Sequence, residues 1–143
     1  MKLRIGGHPL HPMLVHFPIA LWTFSVGADV VGWVTRWPAC WQIGFVALVA
    51  GLAIGTVAIL AGLLDFLAIQ PSHAARDTAV LHMMVMCSAW LLFLAAAAIR
   101  GVPDGNPPSP LATMVSCVAE ITLLWGGWLG GQLVYRYGVA VEK

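Results

Sequence analysis

A chain of 143 residues, 60% of them hydrophobic and only 9% charged, has too little charge to cover a water-soluble domain. Its mean hydropathy of +0.88 makes lipid the solvent for most of its surface. A net charge of +1, with no lysine-rich or arginine-rich block, excludes the field that nucleic acid or an anionic partner would need.

Four apolar runs follow in chain order, at roughly 14–34, 41–69, 79–99 and 111–134. Each is near the ~20 residues that span a hydrocarbon core. Four strands cannot close a barrel, and an open sheet edge is not tolerated in lipid. The expected fold is therefore all-α: an integral membrane, antiparallel four-helix bundle forming one domain over 1–143. The short linkers carry the breakers, at Thr35-Arg36-Trp37-Pro38, Gln70-Pro71-Ser72-His73, and Arg100 through Pro107-Pro108-Ser109-Pro110. The first run is too long for a signal-peptide core and lacks an A-x-A exit, so its helix is expected to stay in the mature protein.

Orientation follows from the basic residues near the helix ends. Lys2, Arg4, Arg76, Arg136 and Lys143 share one side, against Arg36 and Arg100 on the other, which puts both termini in the cytoplasm. Trp37 and Trp41 near one interface, and Tyr135 and Tyr137 near the other, fit aromatic belts.

The second run spaces Gly44, Gly51, Gly55, Ala58, Gly62 and Asp65 along one helical face. The fourth repeats small-xxx-small spacing at Gly126/Gly130 and Gly127/Gly131, and such faces let helix backbones approach closely. Helix packing accounts for most of these glycines. Asp65 differs, because an ionisable group on an inward face needs a partner.

Intramembrane ionisable groups cost ~2.5 to 3.5 kcal/mol near a helix centre on insertion scales. His16 in the first turn of the first run, Asp65 in the last turn of the second, His82 in the first turn of the third, and Gly130 and Gly131 at the end of the fourth lie at one shallow depth. Two neutral imidazoles from different helices can ligate a haem iron from opposite faces, with glycine making room for the macrocycle and Asp65 orienting one imidazole. Ala20, Thr23 and Gly27 continue the His16 face with small side chains. A lone histidine near a helix end is commonly just interfacial; that accounts for either histidine singly, and less well for two facing an acid.

His8, His11 and His16 also have a spacing that could gather Zn²⁺, Cu²⁺ or Fe²⁺, with Asp65 or His82 completing the shell. No cysteine joins them, and Cys40, Cys87 and Cys117 form no C-x-x-C pair. Pro12 suits a first helical turn, and Pro18 predicts a kink that frees a carbonyl near His16. Glu120 is expected to be a neutral, hydrogen-bonded acid holding helices together, Asp29 to reach interfacial water or Arg36, and Met83, Met84 and Met86 to pack.

The opening G-H-P-L-H-P-M-L-V-H-F-P-I-A-L-W, the acidic end of the second run followed by Pro71 and His82, and the closing G-W-L-G-G-Q-L-V-Y-R-Y-G-V resemble domain-of-unknown-function family 2231, small bacterial membrane proteins. The resemblance covers nearly the whole chain. It implies a multi-pass protein of the bacterial cytoplasmic (inner) membrane, in the company of Rieske iron-sulfur or c-type cytochrome modules, with family histidines matching His8, His11, His16 and His82 and an acid matching Asp65. Gln132 stands where an acid is common and Tyr137 where a histidine is common.

The leading expectation is a b-type haem protein using His16 and His82 (cofactor contacts at Asp65, Gly130 and Gly131) for electron transfer with a redox partner. The alternatives are a transition-metal site of His11, His16, Asp65 and His82, and a cofactor-free accessory subunit of a respiratory or photosynthetic complex. Partners implied are the bilayer, a Rieske or cytochrome protein or larger complex, and alternatively a second copy, with no nucleic acid. An enzyme is not indicated, since no nucleophile with its base is visible.

Overall fold

The computed structural model describes residues 4–6, 8–102, 105–139 and 141. Lys2 and Lys143, and the side chains of Arg4 and His8, lie outside the described part. Two-residue strands β1 (Arg4–Ile5) and β2 (His8–Pro9) pair antiparallel, and Gly6 takes the left-handed turn between them at φ +58°.

Helix α1 (Leu10–Leu14) runs into α2 (His16–Thr35) through a break at Val15. Pro18 lacks the amide that would bond the Leu14 carbonyl, while the Val15 amide still donates to the His11 carbonyl and the Ile19 amide to the Val15 carbonyl, so α1 keeps the helical phase of α2. A left-handed Arg36 (φ 60°) ends α2, and Pro38 opens α3 (Pro38–Leu67) in its first turn. Helix α4 (Arg76–Arg100) follows, and α5 (Pro110–Tyr135) is capped by Ser109, whose side chain accepts from the Ala112 amide at 3.2 Å. Four spans, α1 with α2, then α3, α4 and α5, are long and apolar enough to cross a membrane.

The helices pack chiefly as two hairpins, α2 with α3 and α4 with α5. The glycine face of α3 receives Trp22: a Cβ at Gly51 would lie 2.6 Å from the indole nitrogen, and one at Gly55 would lie 2.8 Å from the far ring edge. Across the bundle the Trp22 ring stacks on Phe93, centroids 4.8 Å apart and planes 16° from parallel. Leu48, Leu52, Ala89, Ala119 and Leu123 close around this stack as the core.

Beyond the stack, away from the termini, Arg100 Nη1 donates to Asp29 Oδ2 at 2.7 Å, and Nη2 donates to the Trp41 carbonyl. Both ion-pair side chains are 4% exposed. Asp29 thus takes Arg100 rather than Arg36, because its helical face, shared with Trp22 and Ser25, turns inward. Arg36 lies instead over the Trp33 ring, 5.4 Å from its centroid. Trp41 is also no belt residue: it is buried against Gly32, edge-on to Trp33. Trp37 and Tyr135 are exposed.

At the end carrying the termini, Arg76 donates to the Ile69 carbonyl at 2.9 Å and the Phe66 carbonyl at 3.2 Å, with its guanidinium 3.9 Å from the Phe66 ring centroid. It ties the end of α3 to the start of α4.

Candidate functional site

The bundle is not filled at this end. A cavity of about 360 Å³ lies between the two hairpins, within the size range of small-molecule sites, and its walls are mostly apolar. Trp22 closes it toward the bundle centre, and His11, His16, Asp65, His82, Gly130 and Gly131 all border it. The six residues are thus brought around one space, in different ways.

His82 and His11 are held alike. The His82 Nδ1–H donates to the Gly126 carbonyl at 2.9 Å, and the His11 Nδ1–H donates to the Ala58 carbonyl at 2.8 Å. A carbonyl only accepts, so Nδ1 carries the hydrogen in both rings and the lone pair of each neutral imidazole sits on Nε2. Neither Nε2 has a hydrogen-bond partner among the described residues. Each ring also rests where a glycine lacks a side chain: a Cβ at Gly62 would be 2.8 Å from His11 Cε1, and one at Gly130 would be 3.1 Å from His82 Cε1.

His16 borders the cavity but is exposed, with no polar contact among the described residues. Ala20, Thr23 and Gly27, expected to continue an inward His16 face, are exposed and do not border the cavity. The inward face of α2 carries Pro18, Trp22, Ser25 and Asp29, and stepping back seven residues from Pro18 arrives at His11. That heptad phase is legible in the sequence, whereas a depth count begun at the start of the apolar run leads to His16 instead.

Asp65 is half-buried, and its carboxylate accepts no hydrogen bond among the described residues. The orienting of the imidazoles falls to the carbonyls of Ala58 and Gly126. Gly131 leaves open space, its nearest neighbour being Tyr135 at 3.9 Å. Among the described residues, no three His, Cys, Asp or Glu side chains come together closely enough to hold a metal ion, so His11, His16, Asp65 and His82 do not form a four-donor shell. Nearer the bundle centre, Glu120 accepts from Thr23 Oγ1 at 2.8 Å, bonding α5 to α2.

No curated protein and no solved structure matches the chain. The match is at the level of family, over residues 7–143, and the chain belongs to the DUF2231 predicted membrane proteins.

Proposed function

We propose that the cavity holds one b-type haem, with His11 and His82 as axial ligands through Nε2, and that the protein passes single electrons to and from a redox partner. The observation that carries this reading is the matched pair of imidazoles, one from each hairpin, both fixed by Nδ1–H donation to a backbone carbonyl. Such donation sets the tautomer and orientation of a metal-ligating histidine. Among the described residues no third His, Cys, Asp or Glu joins them closely enough to hold a metal ion, so a metal here would bring its own remaining ligands, as an iron macrocycle does. The apolar walls suit the body of a porphyrin, and the glycines beneath both rings leave the imidazoles free to stand against it. When bound, the haem supplies the one-electron couple; the protein's part is to hold the imidazoles, exclude water and set the potential through the low dielectric of the cavity.

On the Lys and Arg count this end of the bundle would face the cytoplasm, and a Rieske or cytochrome partner would then exchange electrons there. The bare-ion reading has less support, because its donors do not converge.

The test is an oxidised and dithionite-reduced absorbance spectrum of the protein purified in detergent from haem-sufficient cells, with metal analysis. Sharp reduced α and Soret bands, lost in His11→Ala and in His82→Ala but kept in His16→Ala, are expected. Loss in His16→Ala with His11→Ala intact would move the ligand to His16. A colourless, metal-free wild type would overturn the reading and leave an accessory subunit of a larger complex.

A further inference from the structure

The two hairpins repeat each other. His11, Pro18, Trp22, Ser25 and Asp29 of the first are followed, each 71 residues later, by His82, Ala89, Phe93, Ala96 and Arg100. All but the two histidines point into the core or the buried ion pair. On the returning helices, six buried positions of α3 between Gly44 and Ala61 match six buried positions of α5 between Ala112 and Leu129, each 68 residues on.

Two of these equivalent pairs touch: Trp22 stacks on Phe93, and Asp29 pairs with Arg100. A residue that meets its own equivalent sits beside the axis relating the two units, as in an isologous dimer. Two such contacts at different heights run that axis along the bundle. Toward the termini, past the buried pair Pro18 and Ala89, the pair His11 and His82 borders the cavity, into which the axis continues. The walls follow the rule as well: Gly62 matches Gly130, Phe66 matches Val134, and Val15 matches Met86, all at the cavity. Each imidazole bonds the carbonyl four residues before its glycine, Ala58 before Gly62 and Gly126 before Gly130.

The symmetry of the cavity wall breaks in size at Ile59 and Leu63, which correspond to Gly127 and Gly131, and in polarity at two further positions. His16 corresponds to Cys87 and Asp65 to Leu133, so the first hairpin presents a polar edge and the second an apolar one.

We propose that the chain is two equivalent two-helix units in tandem, and that the cavity between them is a composite site on their pseudo-twofold axis. It takes a flat ligand met on both faces by the same imidazole–carbonyl–glycine unit, with its polar edge toward His16 and Asp65. That the ligand is a metal macrocycle rests on the haem reading above; the repeat does not. Charge exchange tests the repeat alone. Asp29→Arg and Arg100→Asp are each expected to lower the folded fraction in detergent at least tenfold, whereas the double exchange swaps equivalent positions and restores the yield of monodisperse protein. Trp22→Phe with Phe93→Trp, a milder exchange, should keep wild-type stability within a factor of about three, while either single change alone does not. A double charge exchange as poor as its singles, together with a failed aromatic exchange, overturns the repeat even if the protein binds haem. In the holoprotein, Gly62→Ala and Gly130→Ala should shift the reduced bands alike, and a change confined to one of them overturns the composite site. Colourless protein with both exchanges restored overturns the haem reading and upholds the repeat.

Discussion

Gly51→Ala is a change for which the packing dictates a large loss from one added methyl group. The new Cβ would stand 2.6 Å from Trp22 Nε1 and 2.7 Å from its Cδ1, where about 3.5 Å is needed. Roughly 1 Å must open between α2 and α3, yet the indole cannot retreat, because Phe93 is stacked on its far side and its residue is 2% exposed. Overpacking a rigid core site costs about 1–3 kcal/mol, and this geometry belongs at the upper end. At about 1.4 kcal/mol per factor of ten, the folded-to-unfolded ratio falls about a hundredfold. Gly27→Ala is the control, since its Cβ meets nothing within 4 Å; there the change removes only the helix penalty of glycine and stabilises by about 0.5–1 kcal/mol. Both are read by equilibrium unfolding in mixed micelles of rising sodium dodecyl sulfate, followed by circular dichroism. Adding Trp22→Phe to Gly51→Ala should recover part of the loss, giving a coupling term of the opposite sign. Equal tolerance of alanine at positions 27 and 51 would falsify the account of the α2–α3 contact.

Removing one partner of the buried ion pair, in Arg100→Met, should cost about 3–5 kcal/mol, and adding Asp29→Asn should return most of it, because the penalty lies in the stranded charge; the same unfolding titration checks both. Thr23→Val removes one interhelical hydrogen bond to Glu120 and should cost only about 0.6 kcal/mol, so a loss above about 2 kcal/mol would mean that Glu120 has a larger role than bonding α5 to α2. Arg76→Lys cannot reproduce the donation to two carbonyls or the cover over Phe66, and amide hydrogen exchange at the end of α3 should quicken about tenfold while the core amides stay protected.

The four helices were legible because charge is almost absent from four long runs, and no other arrangement leaves backbone groups satisfied in lipid. The glycine face of α3 was legible as close packing, though not as a slot for Trp22, since nothing in the spacing of glycines names the side chain that fills it. The pairing of Asp29 with Arg100 joins helices that are diagonal in the bundle, and charge spacing along a chain reports neighbours on one helix, not across four. At the cavity, residue type and depth brought His82, Asp65 and the glycines to one end, but helical hydrogen bonds running through Val15 let α1 continue the inward face of α2 one turn earlier than the apolar run begins. The carbonyls of Ala58 and Gly126, which hold the imidazoles, carry no residue-type signal at all; only the interval of 71 residues between His11 and His82, shared by Trp22 with Phe93 and Asp29 with Arg100, marks the site in the sequence.

The stacked rings of Trp22 and Phe93, with the ion pair beyond them, act as a stopper across the middle of the bundle. Among the described residues this packed, ion-paired layer closes the cavity toward the far end of the bundle. A ligand in the chamber would therefore lie off-centre along the bundle, on the side of the termini.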